Sequence, residues 1–459
     1  MIPKTQKGNL MKRILTLLLT LTMLLPLASC ATELVAEPAT EQKTLQTETK
    51  TQEKAPTAEE DPLPTGEIVY PEGFSVGYNR QDISPTEFPI ISYSQFDKTA
   101  KGLSDPIQLT VTALCDGEKV ALICSVDMRG VPDSFANYCA TLIERKFGIT
   151  KEYFFLNATH THSSVEQKLF GLDATIKKWQ SMFYDKLIRA TTLALHDLTP
   201  AEAYIGKSEV HDVTYVRRYL MSDGSYKGIT TPANGSEPVA HESEADPELR
   251  TIRFARQGKK DVVMVNFQTH YGGSYPDTIS ADFVHLMREQ AESEMDCLFA
   301  YHSGAGANVS FASSIPGERK YATIKDSSPV LVQAVKDAVA AETPAVTGKI
   351  SAVWEEYQAT AKGNWKKAIP FSAITCGDLG FIAAPYEMFD TNGKEIRDAS
   401  PCKMTFICTL TGGGFGYVPS ALGFEHGQYE VENCQFIAGS GEEFAKEFVR
   451  LLNLCKEQG

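Results

Sequence analysis

Short apolar runs, among them Val120–Val126, Val262–Phe267 and Leu379–Ala384, recur along this chain between stretches of helical periodicity. That alternation restricts it to a layered architecture. Strands are predicted over Gln108–Leu114, Val120–Val126, Tyr153–Ala158, Thr251–Phe254, Val262–Phe267, Leu298–Tyr301, Ser351–Glu356, Leu379–Ala384 and Met404–Leu410. Helices are predicted over Asp133–Phe147, Lys177–Leu198, Phe283–Met295, Pro329–Ala341, Glu387–Arg397 and Gly441–Leu454. The order implies an α/β or α+β domain, layered, with mixed β-sheets flanked by helices. At 42% hydrophobic and 10% aromatic residues over 459 positions, the chain is neither disordered nor fibrous.

The first thirty residues read as a processing signal. They hold Lys4, Lys7, Lys12 and Arg13 and no acid, and an apolar run from Ile14 to Leu27 follows the last two. That run falls short of the roughly 20 residues a membrane span needs and suits the core of an export signal. Leu27-Ala28-Ser29-Cys30 resembles the bacterial lipobox, in which the cysteine becomes a lipidated N-terminus. Residues 31–66, rich in Thr, Glu, Gln, Lys and Pro, bury too little apolar surface to fold and read as a tether. The expected organisation is a signal peptide over 1–30, a tether over 31–66 and one globular domain over 67–459, anchored outside the cytoplasmic membrane through Cys30. Without the signal the formal balance is about −18, against −14 for the whole chain. A surface of that sign repels phosphate, which argues against nucleic acid as a partner. The other nine cysteines have scattered spacings and apolar neighbours, and are expected to act as small buried hydrophobes.

Candidate chemistry clusters where strands end. Asn157-Ala158-Thr159-His160-Thr161-His162-Ser163 leaves one apolar strand, and alternation in an extended segment would turn His160 and His162 into one cavity. Asn266-Phe267-Gln268-Thr269-His270-Tyr271-Gly272-Gly273 leaves another. Three imidazoles so placed suit a metal, and Glu387 is the candidate carboxylate, with a first-turn helix acid as its alternative role. Tyr417 and Tyr429, taken alone, read as packing residues with a satisfied hydroxyl. Asp127 and Asp282 stay unassigned between partners of a metal-bound histidine and helix caps.

Three segments together resemble the neutral/alkaline non-lysosomal ceramidase family. Phe74-Ser75-Val76-Gly77-Tyr78-Asn79-Arg80-Gln81-Asp82-Ile83-Ser84-Pro85 is similar to its Gly-x-Gly-x-x-Asp-Ile-Thr-Pro opening, and Ala158-Thr159-His160-Thr161-His162-Ser163 to its Ala-Thr-His-Thr-His-Ser signature. The Thr269-His270 strand exit completes the set, and the similarity runs in order over about residues 72 to 440. The resemblance implies zinc held by His160, His270, Glu387 and Tyr417, with His162 as an acid/base or supporting residue. It further implies catalytic roles for Arg217, Ser310 and Tyr429, with Arg218 an alternative to Arg217 because Val216 replaces the family's Asn. Asn308 and Phe311 stand where the family has Asp and Pro around Ser310, and Ser163-Ser164-Val165-Glu166 departs from its glycine-rich loop.

The implied reaction is zinc-assisted hydrolysis of an amide, with ceramide or another N-acyl lipid as the leading substrate class. Two other readings remain: a lipoprotein that binds a lipid or glycan without turnover, and a metal-free serine hydrolase using Ser310. No Gly-x-Ser-x-Gly elbow surrounds Ser310, which weakens the second.

Overall fold

The apolar runs are continuous because both faces of their strands are covered. In Val120–Val126, Leu122, Cys124 and Val126 pack on Phe135, Ile143, Trp179 and Phe183 of the helices Asp133–Phe147 and Ala174–His196. Their neighbours Ala121 and Ile123 turn the other way, onto Phe381 and Phe406 of a second sheet. Val262–Phe267 repeats the pattern, with Val263 and Val265 against the helices Phe283–Met295 and Ile324–Ala340, and Val262 and Met264 against the second sheet. In Leu379–Ala384, Phe381 and Ala383 face the first sheet while Ile382 and Ala384 face Phe444, Phe448 and Leu452 of the helix Ser440–Gln458. Helices, sheet, sheet and helix thus form four layers, in which each large buried side chain contributes about 1.5–3 kcal/mol.

The computed structural model describes residues 62–93, 99–228, 235–270, 272–273, 275 and 277–459. Cys30, the signal and all but the last five residues of the tether lie outside them. Asp61–Gly459 forms one compact unit, and among its described residues no helix is long and apolar enough to cross a membrane. All nine cysteines of this unit are buried and free.

The first sheet has nine strands. Its main path runs Leu298–Ser303, Val262–Phe267, Glu248–Arg256, Thr199–Glu209, Ser75–Asp82, Gln108–Cys115, Val120–Val126 and Phe154–Ala158, with Thr343–Ala345 also paired to Thr199–Glu209. The pairs at its two ends are parallel and the pairs between them antiparallel. The second sheet orders Ile350–Thr360, Lys366–Cys376, Leu379–Ala384 and Met404–Thr409, with only the last pair parallel. Gly77 lets the helix Ala174–His196 lie directly on the first sheet, since a Cβ there would sit 1.9 Å from the Ala194 carbonyl oxygen.

Asn157 links the opposite edges of the first sheet, and Asn266 ties that sheet to the strand Met404–Thr409. Asn157 accepts from the Ser303 amide at 3.0 Å and donates to the Thr409 carbonyl, and to Thr411 Oγ1 at 3.1 Å. Asn266 donates to the carbonyls of His302 and Ile407 at 2.9 and 3.0 Å and accepts from the Ile407 amide at 3.1 Å. The strand Met404–Thr409 is thereby laced across the junction, and the chain segments that leave Phe154–Ala158 and Val262–Phe267 are brought together.

Among the described strands of eight residues or more, three escape the sequence pattern: Ser75–Asp82, Thr199–Glu209 and Lys366–Cys376. Each carries polar side chains that find partners elsewhere, as Arg80 does with Glu292 at 2.5 and 2.9 Å. The helix expected from Pro329 starts at Ile324, because Thr323 and Asp326 form a capping box that outweighs the proline signal. The helix expected from Glu387 starts at Asp390, and Glu387–Met388 is instead a short strand parallel to Tyr417–Val418.

Burial has a cost at His302, which is wholly inaccessible in the strand Leu298–Ser303 with neither ring nitrogen hydrogen-bonded among the described residues. Burial lowers its pKa to about 3. An unfolded chain takes up that proton near pH 6.5, so this contribution to stability is present above about 6.5 and is lost as pH falls towards about 3. His302→Phe is expected to remove on the order of 3 kcal/mol of acid sensitivity between pH 7 and 4, read from urea midpoints. Parallel midpoint-against-pH curves for the two proteins would contradict it.

Candidate metal centre

His160 follows the strand Phe154–Ala158 in a left-handed conformation (φ 68°), tied by its amide to the Met128 carbonyl at 2.9 Å. The His-x-His pair therefore converges through a backbone twist rather than through the strand alternation expected from the sequence. His160 Nε2 lies 3.2 Å from His162 Nε2 and 3.2 Å from His270 Nε2, and the three rings meet edge to face. These three residues form the one potential metal-holding cluster of histidine, cysteine and acidic side chains among the described residues.

The far side of two rings sets their tautomers. His160 Nδ1 donates to the Arg129 carbonyl at 2.6 Å and His270 Nδ1 to the Gly306 carbonyl at 3.1 Å. A carbonyl only accepts, so each proton sits on Nδ1 and each Nε2 carries a lone pair. Burial, as the leading cause, lowers the pKa of all three histidines, which keeps them neutral. Two lone pairs facing each other at 3.2 Å repel unless a cation lies between them, so this donor set fits a metal ion. Gly306 makes the supporting contact possible, since a Cβ there would press to 2.6 Å from the Thr269 carbonyl oxygen.

Glu387 and Tyr417 pair in register across their two short strands. Glu387 Oε2 stands 3.5 Å from His160 Nε2, is buried, and accepts no hydrogen bond from the described residues. Burial, reinforced by the Glu387 charge, raises the Tyr417 pKa well above the usual phenol value. Arg217 Nη2 donates to the Tyr417 hydroxyl at 3.4 Å and Nε to Glu430 Oε1 at 3.2 Å. Burial opposes the Arg217 charge, but Tyr417, Glu430 and Glu387 outweigh it and push its pKa up. Arg218 points away, to Glu242 at 2.7 and 2.9 Å, Glu430 at 2.7 Å and the carbonyls of Gly423 and Gly427. Of the two arginines the fold thus brings Arg217 to the site. Tyr429 stacks edge-on against Tyr417 at 5.5 Å between ring centres and stays 39% exposed.

Ser310 lies on the strand Val309–Ser310, opposite Tyr215 of Tyr215–Val216, and its Oγ accepts from the Ala312 amide at 3.2 Å. No described histidine is hydrogen-bonded to it. Asn308 uses both ends of its amide on Asp390, at 2.7 and 2.9 Å, where an aspartate would face a second carboxylate. Asp127 accepts from Thr159 at 3.1 Å and from Arg288 at 3.0 Å, and so reaches no histidine of the cluster. Glu430 was not singled out in the sequence; its adjacency to Tyr429 and its complete burial beside two arginines are the signals that mark it.

No family model matches the chain. Two solved structures superpose on it over most of its length. One, a ceramidase complexed with C2, is 14% identical, with a TM-score of 0.69 over 84% of this chain and 76% of its own. The other, the neutral ceramidase from Pseudomonas aeruginosa, is 13% identical, with a TM-score of 0.69 over 84% of this chain and 75% of its own. The chain has the neutral ceramidase fold. Within that fold, His160, His162 and His270 converge at the junction of the two curled sheet edges, with Glu387 and the Arg217–Tyr417 pair closing one side.

Proposed function

We propose that this chain is a metal-dependent amidohydrolase whose substrate is an N-acyl lipid, ceramide being the leading candidate. The observation that carries the proposal is the pair of imidazole lone pairs on His160 and His270, fixed face to face by backbone carbonyls. The ceramidase neighbours support the choice of an amide bond, and the carboxylate of Glu387 beside His160 suits zinc as the ion. His160, His270, Glu387 and Tyr417 would hold it. Bound there, zinc supplies Lewis acidity that polarises a carbonyl and acidifies water.

The chain's own groups account for the proton and charge movements. His162, neutral because burial lowers its pKa, accepts the proton of the attacking water and returns it to the leaving amine. Arg217, held charged by Glu430, and Tyr429, with its partly exposed ring, donate to the oxygen that gains charge; one such donor contributes on the order of 3 kcal/mol. Ser310 orients the acyl group from the neighbouring strand, a role that needs no histidine beside it. The same proposal keeps the lipobox reading, with Cys30 lipidated and the domain outside the cytoplasmic membrane.

Elemental analysis and a chelation assay on the purified protein test this reading. The expected result is about one zinc per chain, and N-acyl hydrolysis that stops on chelation and returns with zinc. A protein that contains no metal and takes up none tightly would reject it, and hydrolysis that survives chelation would move the chemistry to Ser310.

A further inference from the structure

The loops that carry the three histidines meet on one short segment, Ser280-Ala281-Asp282. On one side, Thr161 Oγ1, between His160 and His162, donates to the Ser280 carbonyl at 2.7 Å, and the Ser280 amide donates to the Ser163 carbonyl at 2.9 Å. On the other, the Asp282 carboxylate accepts from the Gly272 amide at 3.0 Å and from the Gly273 amide at 3.0 and 3.1 Å, just beyond His270. Asp105 braces the segment from behind, accepting from Ser280 Oγ at 2.5 Å and the Ala281 amide at 2.7 Å.

Asp282 also caps the helix Phe283–Met295, accepting from the Phe283 amide at 2.7 Å. Capping alone does not explain its geometry. Its backbone sits at φ 60° and ψ −142°, whereas a capping residue ordinarily stays in the extended region. A residue with a Cβ persists in so sparsely populated a conformation only where its surroundings over-determine it. Here they do so through a carboxylate that reaches back to the His270 loop.

We propose that Asp282 is a positioning residue that sets the distance between the His160/His162 loop and the His270 loop, and thereby the affinity of the histidine cluster for its metal. The inference rests on the metal-hydrolase reading above and assigns a role to a residue outside the ligand set. Asp282→Asn keeps the size but turns an NH₂ towards amide donors that need an acceptor. Thr161→Val removes one of the two bonds of the other arm, leaving the Ser280 amide on the Ser163 carbonyl, without touching the helix cap.

The test uses the full chain and cobalt(II) as the probe, with affinity from competition titration and site geometry from the visible spectrum of the bound ion. Asp282→Asn is expected to weaken cobalt binding about 10–100-fold and to alter that spectrum, the range typical of residues that orient metal ligands. Thr161→Val is expected to weaken binding in the same direction, and it carries the test if Asp282→Asn fails to fold. A purely capping role predicts a lower melting temperature for metal-free Asp282→Asn with affinity and spectrum unchanged. That result, with Thr161→Val also unchanged, would overturn the inference and leave the hydrolase reading standing. Failure of the unmodified chain to bind cobalt or zinc would overturn both.

Discussion

His270→Ala is expected to empty the site of metal and to lower amide hydrolysis by roughly a thousandfold or more, since losing about 4 kcal/mol of transition-state stabilisation has that effect. The substitution removes one of the two opposed lone pairs and leaves the Gly306 carbonyl without its donor. His160 and His162 stay in place, because their loop is held by Met128, Arg129 and Ser280 rather than by His270. The expected protein is therefore folded, free of metal and inactive. Metal content, circular dichroism and kcat/KM on an N-acyl substrate together check it. A variant that keeps its metal, or keeps more than about a tenth of wild-type activity, would place the chemistry elsewhere.

Glu430→Ala is expected to cost about 3–5 kcal/mol of stability, the range for removing one partner from a buried ion pair. Glu430 is wholly buried and divides its carboxylate between Arg217 and Arg218. Arg218 keeps Glu242 after the substitution, but Arg217 keeps, among the described residues, the Tyr417 hydroxyl and the more distant charge of Glu387. Activity should fall with stability, because an unanchored guanidinium no longer points steadily at the site. Urea midpoints measure the first effect and kcat the second. A loss below about 1 kcal/mol would mean that this cluster behaves like a surface pair.

The layers were legible where burial on both faces makes a run continuously apolar, as in Val120–Val126 and Val262–Phe267. They were not legible in Ser75–Asp82 or Lys366–Cys376, whose polar residues are satisfied by partners distant in the chain. Glu387 illustrates a local signal losing to a remote one. Its acidic first-turn position favours a helix, yet its amide bonds to the Gly416 carbonyl and draws it into a strand beside Tyr417. The histidines themselves stood out by motif. What holds them was less legible: the carbonyls of Arg129 and Gly306 act across 31 and 36 positions that no spacing rule connects, and Asp282 stood open between supporting a histidine and capping a helix.

The junction closed by Asn157 and Asn266 bears on solubility as well as on the site. Phe154–Ala158 and Leu298–Ser303 are largely apolar strands at the two ends of a long sheet, and open edges of that kind invite pairing with another chain. The Asn157 and Asn266 side-chain amides occupy the Ser303 amide and the His302 carbonyl, two of the groups such pairing would use. The seam that gathers the histidines therefore also takes up part of an edge that would otherwise be free to pair.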